Sequence, residues 1–287
     1  MSKQVKADGI LILVTLCWGV SYLLIDMSLL QIDPFTLNAF RFLGAFIIAA
    51  LFSWNKLRGV NKTTLKYSVL VGVALFFVYI GATFGVKYTT LSNAGFLCAL
   101  TVVFTPIINW LVFKKTPDRK LSLVVMVCFI GIALMTCALC YAADLLFTEK
   151  AVLKEEVDAY QLGVFQLGVT GILNLLMAFV TERPHFPETA EVWGAVIFLA
   201  VFCTGVAFVL QPIAQQYTTA SHVGVIFALE PVFAAVAAFF FAGEVLSPRA
   251  YLGAFLMMAS IFAMEIDFKK LDNKKLGNKK EIEEERG

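Results

Sequence analysis

One acidic residue inside a long apolar segment is the first candidate for chemistry. Glu230 lies in Leu229-Glu230-Pro231, about ten residues into the apolar run 219–242. A charged side chain at that depth of a membrane helix is costly, and it is normally paired or faces a cavity. We expect Glu230 either to contact a substrate or to brace the backbone that Pro231 frees from its helical hydrogen bond.

Aromatic side chains form a second candidate group. Trp18 and Tyr22 are four residues apart and therefore share one helix face, Tyr79 lies in the middle of another apolar run, and Tyr141 corresponds to Trp18 in an internal repeat described below. Such rings can form a box around an organic cation through cation–π attraction. The alternative is an interfacial aromatic belt or packing against lipid.

Four polar side chains inside apolar runs complete the predicted substrate site. Arg41, with Asn38 one turn earlier, could attract an anionic group such as a carboxylate, or could pair with Asp26. Gln166 and Gln211 could contact a substrate or simply bridge helices. Pro212, directly after Gln211, predicts a kink.

The sequence disfavours an enzyme, a metalloprotein and a nucleic-acid-binding protein. His185 and His222 are far apart, and all six cysteines lie inside apolar runs, where a thiol behaves as a small hydrophobic group. We find no nucleotide-binding motif and no paired catalytic carboxylates, so we expect no cofactor, no metal and no catalytic residue. A net charge of +2 is too small to indicate binding to nucleic acid.

Composition and hydropathy predict a membrane protein embedded in a lipid bilayer. Of the 287 residues, 60% are hydrophobic and only 15% are charged, and the mean hydropathy is +0.82. The apolar runs are 8–30, 36–54, 66–87, 92–113, 121–147, 160–181, 191–215, 219–242 and 249–266. All but one have the length of a single helical crossing. The fold class is therefore all-α and polytopic, with a charged tail over 268–287 predicted to be disordered.

An internal duplication divides the chain into two related halves. When the sequence is shifted by 129 residues, 87–106 aligns with 216–235 at nine of 20 identical positions. A separate, weaker match, at a shift of 125 residues, pairs 33–40 with 158–165. We expect five-helix units at 1–136 and 137–267. Because five is odd, the second unit must enter the membrane in the opposite orientation, which makes the repeat inverted.

Loop charges predict that both termini are cytoplasmic in the cell (inner) membrane. With ten crossings, 19 of the 23 Lys and Arg residues fall on the side of the N-terminus. The opposite side holds only Lys87, Arg183 and Arg249, and Arg41 lies inside the second predicted helix. This count requires the run 121–147 to provide two helices, although its length suits one. We expect shortened helices, or an omitted or deleted segment, near residues 136–138.

These features together resemble the EamA-type ten-helix transporters of the drug/metabolite transporter superfamily. The resemblance rests on Trp18-Gly19, the segment Pro34–Arg41, Leu229-Glu230-Pro231-Val232 with Gly243-Glu244, and the duplication. It implies a central cavity lined by the first to fourth and sixth to ninth helices. The chain departs from the family in its shortened fifth and sixth helices and in Thr101-Val102, which replaces the Glu-Pro motif in the first half.

The predicted function is secondary transport of a small organic metabolite, such as an amino acid, an amine or a drug-like solute. The resemblance implies alternating access, with a proton or another ion as a candidate coupling partner and a monomer or homodimer as the assembly. One alternative is an importer selective for choline-like quaternary ammonium compounds. Another is a non-transporting membrane scaffold that has the same fold.

Overall fold

The computed structural model of the protein describes residues 3–88, Thr105 and 136–242. They belong to one unit that spans Met1–Val245. The predicted helices over 92–113 and 249–266, most of the run 121–147, Gly243-Glu244 and the charged tail lie outside the described residues. Predictions about those segments therefore stay predictions, and so does the total of ten helices.

Every element within the described ranges is helical. The elements are α1 (Lys3–Leu29), α2 (Pro34–Leu57), α3 (Lys62–Tyr88), α4 (Thr136–Val152), α5 (Ala159–Thr181), α6 (Ala190–Phe198), a π-helical segment (Leu199–Val206), α7 (Ala207–Gln215), α8 (Ala220–Phe227), α9 (Glu230–Ala237) and a second π-helical segment (Ala238–Ala242). Six stretches in the described part of the chain are long and apolar enough to cross a membrane. The predicted all-α, polytopic membrane architecture is confirmed.

Polarity is arranged as expected for a protein in lipid. Large apolar side chains such as Leu51, Phe52 and Phe179 point outward and are at least 68% exposed. Arg41, Asn38 and other polar residues are fully buried. Lipid can cover the apolar outer surface, so hydrogen bonds and close packing inside the bundle must hold the helices together.

Contacts between helix ends show that α1 and α4 run in opposite directions. At one end, which we call the Lys3 end, the ammonium of Lys3 lies 5.8 Å from the ring of Tyr217, and that of Lys154 lies 5.4 Å from the ring of Tyr67. At the opposite or Gln31 end, Gln31 donates to the Thr189 hydroxyl at 2.9 Å. Helix α1 starts at the Lys3 end, whereas α4 finishes there. The two helices that correspond in the repeat are thus antiparallel.

The starts of α2 and α5 occupy the positions that the weaker repeat match pairs. Asp33 and Asp158 stand directly before these helices. Asp158 caps α5 by accepting from the backbone N–H of Gln161 at 2.8 Å. Asp33 instead pairs with Lys87, and the carboxylate of Glu182 accepts the N–H groups of Phe35 and Thr36 at 2.8 Å. The end of α5 therefore caps the start of α2.

Both ring nitrogens of His185 contact backbone carbonyls, and these two contacts, which we call the His185 clamp, join the loop before α6 to the loop after α1. Its Nδ1 lies 3.0 Å from the Arg183 carbonyl and its Nε2 lies 2.7 Å from the Gln31 carbonyl. Two carbonyl acceptors are both satisfied only if both ring nitrogens carry hydrogen, which is the imidazolium form. The Arg183 carbonyl, and then the Gln31 carbonyl, raise the pKa of His185.

This clamp predicts a pH dependence at the Gln31 end. Because the folded pKa is raised, the stabilisation is complete below the ordinary histidine pKa of about 6.5 and is lost as the pH rises through the folded value. We expect the protection factors for hydrogen exchange in residues 183–188, which are corrected for the intrinsic rise of exchange with pH, to fall over that range in the parent protein but not in His185→Gln. Equal pH responses in both proteins would show that the clamp does not titrate.

Candidate functional site

A small cavity lies where α1, α3, α4, α7 and α9 meet. It has a volume of about 20 Å³, which is room for roughly one water molecule. The described residues of its lining are Trp18, Ser21, Tyr22, Ile25, Val78, Tyr79, Ala82, Tyr141, Phe208 and Glu230. Five of the nine residues predicted for the substrate site are therefore brought together here, and Glu230 is the one carboxyl group among these described lining residues.

Trp18 is the centre of the aromatic part of the lining. Its ring centroid lies 6.0 Å from that of Tyr141, 4.9 Å from that of Phe208 and 4.8 Å from that of Phe227. Its indole N–H donates to the Cys203 carbonyl at 3.0 Å, and this bond fixes the ring against the π-helical segment between α6 and α7. Trp18 is only 2% exposed. These aromatic residues face the interior, so the belt and lipid-packing alternatives are wrong for them.

Glu230 occupies a break in the membrane-crossing segment formed by α8 and α9. Helix α8 ends at Phe227 and α9 begins at Glu230, because Pro231 has no N–H to return to the Phe227 carbonyl. A carboxylate in the first turn of α9 is favoured by the helix dipole. Its Oε1 also accepts from the Tyr22 hydroxyl at 2.7 Å. Broken helices of this kind supply substrate-binding groups in several transporter folds.

Arg41 lies behind Tyr79 and outside the cavity lining. The guanidinium is 4.7 Å from the centroid of the Tyr79 ring, and its Nε donates to the Thr204 hydroxyl at 2.9 Å. The side chain is fully buried, and Nη1 and Nη2 have no hydrogen-bond partner among the described residues. Asp26 is exposed on α1, so the predicted pairing of Arg41 with Asp26 is wrong.

The three predicted amide residues lie outside the cavity lining, and each contacts another helix. Asn38 accepts from the Thr83 hydroxyl at 3.0 Å and donates to the Tyr79 carbonyl, which links α2 to α3. Gln166 donates to the Phe208 carbonyl at 3.0 Å. Gln211 lies near Asp144 on α4. In the structure Gln166 and Gln211 bridge helices, which is the alternative that the sequence left open for them, and Asn38 does so as well.

The bond from Gln166 has a specific cause in the sequence of α7. In a regular helix the Phe208 carbonyl would accept from residue 212, but Pro212 has no N–H. Gln166 supplies the missing donor from α5. A buried carbonyl left without a partner costs about 1–3 kcal/mol, so we expect Gln166→Leu to lower the stability by that amount.

A double variant distinguishes this explanation from a general loss of packing. In Gln166→Leu/Pro212→Ala the new alanine N–H can bond to the Phe208 carbonyl, so part of the lost stability should return in thermal unfolding. The two substitutions would then be non-additive. Additive losses would show that the Phe208 carbonyl is not the group that Gln166 satisfies.

Sequence reasoning missed two contributors to this region. Phe208 contacts Trp18, Phe42 and Tyr79, but nothing distinguishes it from the other 26 phenylalanines in the sequence. Asp144 is 1% exposed on α4, three residues after Tyr141. Asp144 could have been identified in the same way as Glu230, because each is an acidic residue inside an apolar run.

An apolar helical bundle with a small central cavity, a broken helix and buried ionisable groups is the architecture of a membrane transporter. The EamA-like transporter family matches the chain twice, over residues 5–137 and 133–265. The chain belongs to this family, as the sequence resemblance indicated. The family is one of transporters, which agrees with the expectation that the protein is not an enzyme.

Similar proteins support the same assignment. An uncharacterized transporter of Archaeoglobus fulgidus is 32% identical over 92% of this chain and 87% of its own length. A second uncharacterized transporter of that organism is 26% identical over 90% of this chain and 96% of its own length. A solved structure described only as "Crystal structure of protein" aligns with a TM-score of 0.72 at 16% identity, over 93% of this chain and 99% of that chain. That last likeness shows the shared fold.

Proposed function

We propose that the protein is a secondary transporter that moves an amino-acid-like solute, bearing both an ammonium and a carboxylate group, by alternating access. The observation that carries the proposal is the buried carboxyl group of Glu230 in a cavity walled by Trp18, Tyr22, Tyr79 and Tyr141. Aromatic faces and a carboxylate both attract a cation, and each does so more strongly out of water.

Arg41 is the proposed partner of the solute carboxylate. Its two terminal nitrogens have no partner among the described residues, although the side chain is fully buried in an apolar bundle. A guanidinium cannot shed its proton to escape this cost, and its planar fork matches a carboxylate with two hydrogen bonds. Tyr79 separates Arg41 from the cavity, so in this proposal a rotation of the Tyr79 ring joins the two parts of the site.

The size of the cavity supports a transport cycle with more than one state. Room for one water is too little for an amino acid, so binding needs the helices around the cavity to move apart. In the proposal two inverted five-helix units rock about this site, with both termini in the cytoplasm and the chain in the cell membrane. The antiparallel α1 and α4, and the basic residues at the Lys3 end, support that arrangement.

Flux in proteoliposomes tests the substrate class. The panel contains neutral amino acids, the matching amines and carboxylates that each lack one charged group, and choline. We expect gradient-dependent flux of at least one amino acid and a strong reduction in Glu230→Gln, whereas the control Glu191→Gln, at an exposed position on α6, should transport normally. No flux of any member of the panel would refute the proposal and would leave the scaffold alternative.

A choline-like substrate is the second candidate, and the aromatic walls favour it. Quaternary ammonium groups are recognised by aromatic cages and need no hydrogen-bond acceptor. If choline is the substrate, Trp18→Ala and Tyr141→Ala should weaken its binding much more than a change at lipid-facing Phe179. Arg41 should then be dispensable, which separates this candidate from the first.

A further inference from the structure

A second buried polar cluster lies between the cavity and the Lys3 end of the bundle. Asp144 and Thr148 are one turn apart on α4, and Gln211 and Gln215 are one turn apart on the facing helix α7. None of the four is more than 1% exposed. The side chain of Gln211 is within hydrogen-bonding reach of the Asp144 carboxyl group. Gln215 donates from Nε2 to the Leu145 carbonyl at 2.7 Å, which holds the two helices in register.

Each of these four side chains presents an oxygen that has no partner. Asp144 Oδ1, Thr148 Oγ1, Gln211 Oε1 and Gln215 Oε1 are all buried and all lack a hydrogen bond within the described part of the chain. Buried polar atoms without partners are rare, because each loses its hydration without replacement. Four of them, one from a carboxyl group, on two facing helix turns are candidate ligands for a cation.

The chemistry of this set selects a hard monovalent cation. Carboxylate, amide carbonyl and hydroxyl oxygens bind hard cations such as Na⁺, whereas zinc and copper prefer nitrogen or sulfur ligands. One Asp144 carboxylate neutralises one positive charge. A divalent ion would leave a net charge inside the membrane, which is costly. A proton on Asp144 can be donated to one glutamine oxygen at most, which leaves the other without a partner.

We propose that Asp144, Thr148, Gln211 and Gln215 form a Na⁺ site. Helix α4 carries Asp144 one turn beyond Tyr141, and Tyr141 lines the cavity. An ion shared by α4 and α7 draws these helices together at the Lys3 end and so changes the walls of the cavity. Given the proposed transport function, this site couples solute movement to the Na⁺ gradient.

Binding is tested without any organic solute. The melting temperature of the purified full-length protein is measured as NaCl replaces KCl at constant ionic strength, since an ion that binds only the folded state raises it. We expect stabilisation by Na⁺ but not by K⁺. Asp144→Asn and Thr148→Val should each raise the Na⁺ concentration needed by about tenfold or more. Asp26→Asn, which removes an exposed carboxylate on α1, should respond as the parent does.

Two results would overturn the site: equal stabilisation by K⁺ and Na⁺, and an unchanged Na⁺ response in both Asp144→Asn and Thr148→Val. Solute flux that follows a proton gradient and ignores Na⁺ would overturn the proposed coupling to Na⁺. Such flux would leave the proposed transport function standing. Conversely, the protein could be stabilised by Na⁺ only when Asp144 is present and yet show no flux of any solute. That result would refute the transport proposal but support the ion site.

Discussion

Arg41→Met is expected to abolish transport of carboxylate-bearing solutes while leaving the protein at least as stable as the parent. Both effects follow from the buried charge of Arg41: in the proposal it binds the solute carboxylate, and without the solute it is costly to bury. Arg41 is a fully buried cation whose described hydrogen bond goes to the neutral hydroxyl of Thr204. Keeping such a charge out of water opposes folding, and a methionine of similar length removes that cost.

The expected magnitudes follow from what buried charges are worth in other proteins. Loss of one partner from a buried charge pair weakens binding by about 2–5 kcal/mol, which corresponds to a reduction of about thirtyfold or more. Replacing buried ionic groups by apolar ones is neutral or stabilising by about 1–4 kcal/mol. Arg41→Lys keeps the charge but loses the planar fork and the stacking on Tyr79, so we expect intermediate transport.

Two measurements on one preparation check this prediction. Flux of an amino acid and of its decarboxylated amine gives the dependence on the carboxylate, and the melting temperature gives the stability. Arg183→Met, at an exposed position, is the control and should change neither. If Arg41→Met transports normally, Arg41 is not the partner of the solute carboxylate. If the variant unfolds at a much lower temperature, Arg41 is a structural residue.

The aromatic cavity was largely predictable from the sequence, for two physical reasons. Helical spacing places Trp18 and Tyr22 on one face, and the Tyr22 hydroxyl indeed bonds to Glu230 in the cavity. The repeat aligns Tyr141 with Trp18, and the two rings lie 6.0 Å apart. Both inferences need only the local geometry of a helix and the symmetry of a duplication.

The roles of the other polar residues depend on how each helix is rotated about its axis. A helix that is apolar on all sides carries no pattern that shows which face is buried. The sequence could therefore not show that Arg41 stacks behind Tyr79. Pro212 is visible in the sequence, but only the packing of α5 against α7 reveals that Gln166 meets the orphaned Phe208 carbonyl. Asp144 was missed because the start of its helix was ambiguous.

Gly19→Ala is expected to destabilise the protein and to abolish transport, because it separates the two helices that hold Tyr22 and Glu230 together. A Cβ at Gly19 on α1 would overlap the Cβ of Phe233 on α9 and come within 2.9 Å of the Ala234 backbone nitrogen. Backbone atoms cannot turn aside as a flexible side chain can. Overpacking of this kind typically costs about 1–3 kcal/mol.

Gly9→Ala is the matched control on the same helix. A Cβ at Gly9 meets nothing within 4 Å, so this substitution adds only helix propensity and should be neutral or stabilising by up to about 1 kcal/mol. Melting temperature and amino-acid flux are measured for both variants. If Gly19→Ala behaves as Gly9→Ala does, the α1–α9 contact is not close. If Gly19→Ala keeps its melting temperature but loses flux, the close contact between α1 and α9 is needed for the transport cycle rather than for folding, and Gly19 then acts on transport through the helix that carries Trp18 and Tyr22.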